Sequence, residues 1–107
     1  DCLLPEMDLT EEEQQPLGKY GMMRQQYLAS ERPGLYTRLL LSGRLMMHLH
    51  EIEQSAQNRL NRLMQILPKQ SGVTEDMKAE NPMRWAAQMN SLKHQAEEMI
   101  LSELIYS

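Results

Sequence analysis

Between residues 44 and 67, seven apolar side chains, Leu45, Leu49, Ile52, Ala56, Leu60, Leu63 and Leu67, recur at steps of three and four. A strand would alternate at every second residue, so this stretch can bury one continuous stripe only as a helix. Pro68 is expected to end it, because proline removes a hydrogen-bond donor and crowds the preceding turn. A second stripe of the same kind, Trp85, Met89, Leu92, Ala96, Met99 and Ile100, follows Asn81 and Pro82 and predicts a final helix to about residue 105. Each helix would be roughly 35 Å long at 1.5 Å per residue. Matched lengths predict an antiparallel helical hairpin.

Shorter elements surround this pair. Pro16 at a first helical position, with Leu17, Tyr20, Met23, Tyr27 and Leu28 on one arc, predicts a helix over about 16–30, weakened by Gly18 and Gly21. The Ser30-Glu31-Arg32-Pro33-Gly34 sequence is a break. A short helix over about 33–42 follows, with Gly43 available for a left-handed cap. Of its three consecutive leucines, Leu41 points away from the side expected to carry Leu35, Leu39 and Leu40. Thr74 reads as the cap of another short helix that stops near Asn81, with Glu75 and Asp76 suiting the helix dipole. Residues 1–15 show no sustained period and read as an irregular acidic lead-in, although Thr10 and Glu13 could form a capping box. The expected architecture is all-α: a small bundle built on the long hairpin, two short N-terminal helices packed against it, and one domain over 16–107.

At 107 residues the chain can bury a single core. Ten Met, one Trp and no Phe make that core one of Leu and Met, whose thioethers fill irregular gaps. The one cysteine, Cys2, allows no internal disulfide and no zinc-knuckle spacing. No run approaches the roughly 20 apolar residues of a membrane span, and no charged-then-apolar leader opens the chain. A cytoplasmic location is expected.

Catalytic and metal chemistry find little support. His48 and His50 project about 200° apart on a helix, and no Glu lies three residues before any His, which removes the di-iron spacing. His48 with Glu51, and His94 with Glu97 or Glu98, read as helix-surface pairs. Cys2, Ser91 and Ser102 lack an activating base at an arguable spacing, and no phosphate-binding or dinucleotide fingerprint occurs. Neither enzymatic activity nor a cofactor is expected.

Charge is the more informative property. The net charge is -4, yet six of the fifteen acids, Asp1, Glu6, Asp8, Glu11, Glu12 and Glu13, precede any base. From Lys19 to Arg44 the balance reverses, with Lys19, Arg24, Arg32, Arg38 and Arg44 against Glu31 alone. Lys19, Arg32, Arg38 and Arg44 on two short helices could neutralise nucleic-acid phosphates. Arg24 differs, because it falls within the apolar arc of the first helix, as Glu103 falls within the stripe of the last. A charge on an apolar face snorkels or finds a partner, so an Arg24–Glu103 ion pair is expected to close the first helix onto the hairpin.

Several long segments in order resemble the transposon-encoded TnpV proteins of mobile elements in Gram-positive gut and clostridial bacteria. They are LLP at 3–5, EEEQQPLGKYG at 11–21, MRQQYL at 23–28, RPGLYTRLLLSGRL at 32–45 and MNSLKHQAEEMILSELIYS at 89–107. The resemblance implies a protein of a bacterial transposon or integrated element, resident in the cytoplasm. It carries over no catalytic or binding motif. Two functional readings follow: a DNA-binding accessory of transposition or excision that uses the Lys19 to Arg44 region, and a helical interaction module. The second would self-associate or grip the element's recombinase through Leu41 and an outward-facing Met47. Arginines on a face without carboxylates favour DNA; Leu41 and Met47 in an exposed apolar patch favour a protein partner.

Overall fold

In the computed structural model, residues 16–107 are described; the acidic lead-in 1–15, with its Thr10–Glu13 pair, lies outside them. The fold is all-α, with no strand among the described residues. Helices α1 (Lys19–Glu31), α2 (Pro33–Leu41), α3 (Leu45–Gln70), α4 (Glu75–Glu80) and α5 (Pro82–Ile100) are followed by a π-helical turn at Leu101–Ile105. The chain divides into two compact units, one reaching to Ser55 and the other Ala56–Ser107, and α3 supplies residues to both.

In the first unit α1 and α2 pack against the beginning of α3. Buried Leu28, Leu45 and Leu49 form the centre, and Leu17, Tyr27, Leu35, Tyr36, Leu39 and Met46 close around them. Two contacts show that α1 runs antiparallel to α3: the Gly21 amide donates to Glu53 Oε1 at 2.9 Å, and Arg24 Nε donates to His48 Nε2 at 3.3 Å. Leu40, expected on the core side of α2, is 53% exposed. The inward stripe is Leu35, Tyr36 and Leu39, and Leu40 lies about 100° round from Leu39, off its edge.

Helices α2 and α3 end in the same way. Gly43 and Gly72 have φ of 75° and 74°, the left-handed region that glycine enters without a side-chain clash. After α2 the amides of Arg44 and Gly43 return to the carbonyls of Leu39 and Leu40 at 2.9 and 3.2 Å; after α3 those of Val73 and Gly72 return to Pro68 and Lys69. Both are Schellman closures. Pro68 therefore does not end α3, which continues to Gln70. A proline so near a C-terminus costs one interior hydrogen bond, and the closure at Gly72 ties down the turn that follows.

In the second unit the remainder of α3 runs antiparallel to α5. Arg59 bonds Glu103, while further along α3 Met64 and Pro68 share a recess of about 310 Å³ with Val73, Trp85 and Met89. Thr74 Oγ1 caps α4 by accepting from the Met77 amide, and Asn81 Oδ1 caps α5 by accepting from Arg84, both at 3.2 Å. The stripe of α5 is narrower than its sequence suggested: Leu92, Ala96 and Ile100 are buried, whereas Met99 is 37% exposed.

Candidate nucleic-acid interface

The polypeptide between Glu31 and Glu51 contains no carboxylate. Its centre is α2, which begins at once after α1 because Arg32, held outside helical dihedrals at φ -132° and ψ 57°, is both the end of one helix and the N-cap of the next. Pro33, with φ preset and no amide to satisfy, opens it. Nothing in α2 is fully buried. Arg32 precedes this helix, Arg38 stands on its outer side and Arg44 follows its closure, and all three are exposed. None of their side chains makes an ion pair or hydrogen bond with a described residue.

Lys19, the fourth expected phosphate ligand, is also exposed but is engaged, its ammonium lying 5.5 Å from the centre of the Tyr20 ring. The structure therefore separates Lys19 from the arginines around α2. Between these arginines stand Leu41, 81% exposed, and Leu40; Met47 on the first turn of α3 is also exposed. Arg38 and Leu41 are three residues apart on the same helical side.

Arg24 lies elsewhere. It is only 6% exposed, donates to His48, and its guanidinium carbon lies 5.7 Å from the centre of the Tyr27 ring. Burial pushes its pKa below the ordinary arginine value, Tyr27 opposing and Arg32 adding to the shift. His48, read from sequence as a surface partner of Glu51, is half-buried instead, with Nε2 accepting from Arg24. Only a neutral imidazole protonated at Nδ1 can accept there. Its pKa is lowered, first by burial and then by Arg24, with Glu51 opposing.

Glu103, expected to meet Arg24, bonds Arg59 through both carboxylate oxygens at 3.3 and 3.5 Å, and its side chain is 46% exposed. The reason is the π turn. Uninterrupted α-helix would carry residues three and four beyond Ile100 back to the buried side. The wider turn, closed by the Tyr106 amide on Leu101 at 2.8 Å, brings Ile105 to that side, fully buried, and turns Glu103 outward.

The sequence reading missed Glu53. Its carboxylate sits over the start of α1, so a Cβ on Gly18 would lie 2.5 Å from Glu53 Cδ, and one on Gly21 would lie 3.3 Å from the Leu49 carbonyl oxygen. The glycines that looked like helix weaknesses make room for this approach. Two glycines three apart on the packing side of a helix were the available signal.

Among the described residues no three His, Cys, Asp or Glu side chains gather as metal ligands, and no helix is long and apolar enough to cross a membrane. The geometry defines a small all-helical protein that presents an arginine- and leucine-bearing helical tip to solvent. The chain belongs to the family of the transposon-encoded protein TnpV, whose family model matches residues 1–105. No curated protein and no solved structure matches it.

Proposed function

We propose that this member of a transposon-encoded family is a non-catalytic, cytoplasmic accessory that binds duplex DNA during transposition or excision. It requires no cofactor. The observation that carries the reading is the set of exposed guanidiniums of Arg32, Arg38 and Arg44, unpaired among the described residues, on a stretch without carboxylates. Cations already held by protein carboxylates would have to give up those contacts to meet phosphates; among the described residues no carboxylate holds these three. Lys19, beside Tyr20, plays the lesser part.

Fluorescence anisotropy with duplex DNA from the ends of the parent element, against scrambled duplex at several salt concentrations, tests this. Binding should weaken steeply with salt. The variant Arg32→Ala with Arg38→Ala and Arg44→Ala should flatten the slope of log affinity against log salt by about three, one unit per lost phosphate contact. An unchanged slope, or no binding at low salt, removes the proposal.

Exposed Leu41, Leu40 and Met47 support a second reading, a surface that self-associates or holds the element's recombinase. Sedimentation of the free protein across concentrations, and of its mixture with the recombinase, distinguishes this from DNA binding.

A further inference from the structure

We infer that the tip of α2 enters the minor groove of duplex DNA, with Leu41, supported by Leu40, wedged against a base step between the guanidiniums of Arg38 and Arg44. This rests on the DNA reading above and specifies its mode. A helix that reads the major groove places side chains of its N-terminal part against base edges. The start of α2 offers Pro33 and Gly34, which have no donor or acceptor in the side chain, and the outer side of the helix has no Asn or Gln for adenine. Its distinctive residues lie at the other end. There an 81% exposed leucine follows Arg38 by three residues and precedes Arg44 by three. Apolar side chains flanked by arginines are the chemistry of minor-groove insertion, where the leucine partly unstacks a step and the guanidiniums meet the groove's negative potential.

The tip is also built to hold this arrangement. A wedge that had to be ordered on binding would lose affinity to side-chain and backbone entropy. Gly43 in the left-handed region, the two closing amide bonds and the Ser42 hydroxyl donating to the Leu39 carbonyl at 3.2 Å fix the turn in the free protein. The same bonds occupy the Leu39 and Leu40 carbonyls, reducing the negative character that the end of a helix would present to DNA. Charge complementarity selects the occupant, because a protein partner of ordinary surface would leave these arginines facing no matched anions, whereas duplex DNA supplies anions on both sides of the groove.

The test uses the full chain and a short A·T-rich duplex with 2-aminopurine at a central TA step, alongside a G·C-rich duplex. Protein should raise the 2-aminopurine fluorescence, netropsin should displace it from the A·T-rich duplex, and that duplex should bind more tightly than the G·C-rich one. Leu41→Ala should abolish the fluorescence rise and weaken binding by about tenfold, the loss expected when one leucine is no longer buried, while keeping the salt slope. Its thermal melt should match the wild type, since Leu41 is solvent-facing, and Leu40→Ala should give a smaller loss. Binding with unchanged fluorescence, or binding indifferent to netropsin, would overturn the wedge and leave the DNA reading standing. Absence of binding to either duplex overturns both. If Leu41→Ala instead converts a self-associated protein to monomer and leaves DNA binding intact, the leucine serves a copy of this chain and the wedge is wrong.

Discussion

The two units solve the same problem, packing helices against a part of α3, with different chemistry. In the second, Leu63, Leu92, Ala96, Ile100 and Ile105 are buried, side-chain oxygens of Thr74 and Asn81 cap successive helices, and an ion pair, Arg59–Glu103, lies at the surface. The first buries an arginine, bonds it to a half-buried histidine and sets a carboxylate over the start of a helix. Buried polar contacts of this kind are costly when broken and weakly stabilising when whole, so they fix one arrangement more than they add stability. The first unit also carries the proposed DNA tip, and a tip that positions two arginines around a leucine benefits from a support with few alternative packings.

The largest effects should come where the units are alike. Leu49 and Ile100 are both fully buried, one in each apolar centre. Leu49→Ala and Ile100→Ala are each expected to cost about 2–5 kcal/mol in urea unfolding, through lost transfer energy and the cavity left behind. Amide exchange then sharpens the comparison: Leu49→Ala should deprotect α1 and α2 first, and Ile100→Ala α5 first. Identical exchange patterns would mean that the two units open together.

The next effect belongs to the first unit alone. Glu53→Ala leaves the Gly21 amide without its acceptor and should cost about 1–3 kcal/mol, whereas Glu53→Gln keeps an acceptor oxygen and should cost less than half of that. Gly21→Ala should also destabilise despite alanine's better helix propensity, because the new Cβ would press on the Leu49 carbonyl, which is backbone and yields poorly. A stabilised Gly21→Ala protein would show that the helices can separate there at little cost. In the second unit the corresponding contacts are simple caps, and Thr74→Ala and Asn81→Ala should each cost about 1 kcal/mol.

This contrast also explains what was readable in the sequence. The helix starts and closures depend on neighbours in the chain, so Thr74, Asn81 and Gly43 identified themselves by type and position. The exposure of Leu41 and Met47 followed from helical period and is seen in the structure. Glu53 over Gly18 and Gly21, and His48 beneath Arg24, connect residues more than twenty positions apart, and no local pattern marks such pairs. The π turn is different again. It changes the period itself, so a stripe counted at 100° per residue runs through Glu103 when the buried residue is Ile105. Pro68 misled for the opposite reason, a local rule being applied one turn early although the closure came from Gly72.

The smallest expected effect is a slope with pH, and it belongs to the first unit. His48 faces Arg24 from α1 and Glu51 on its own helix, while Arg32 adds to the positive field at Arg24. Burial and Arg24 hold its folded-state pKa below the ordinary histidine value, so the unfolded chain takes up a proton first as pH falls. The contribution of this neutral histidine is therefore complete above about pH 6.5 and declines as the pH drops from there toward the folded-state value, below which it is flat. Unfolding free energies measured from about pH 7.5 to 5.5 should fall for the wild type and fall less for His48→Gln, which can still accept from Arg24 but does not titrate. Because His50 and His94 remain in both proteins, the difference between the two curves isolates His48. A flat difference would mean that His48 titrates alike in the folded and unfolded chain, and one of opposite sign that folding favours its protonated form, in which case the Arg24 contact would be a repulsion that the first unit tolerates instead of a bond that orders it.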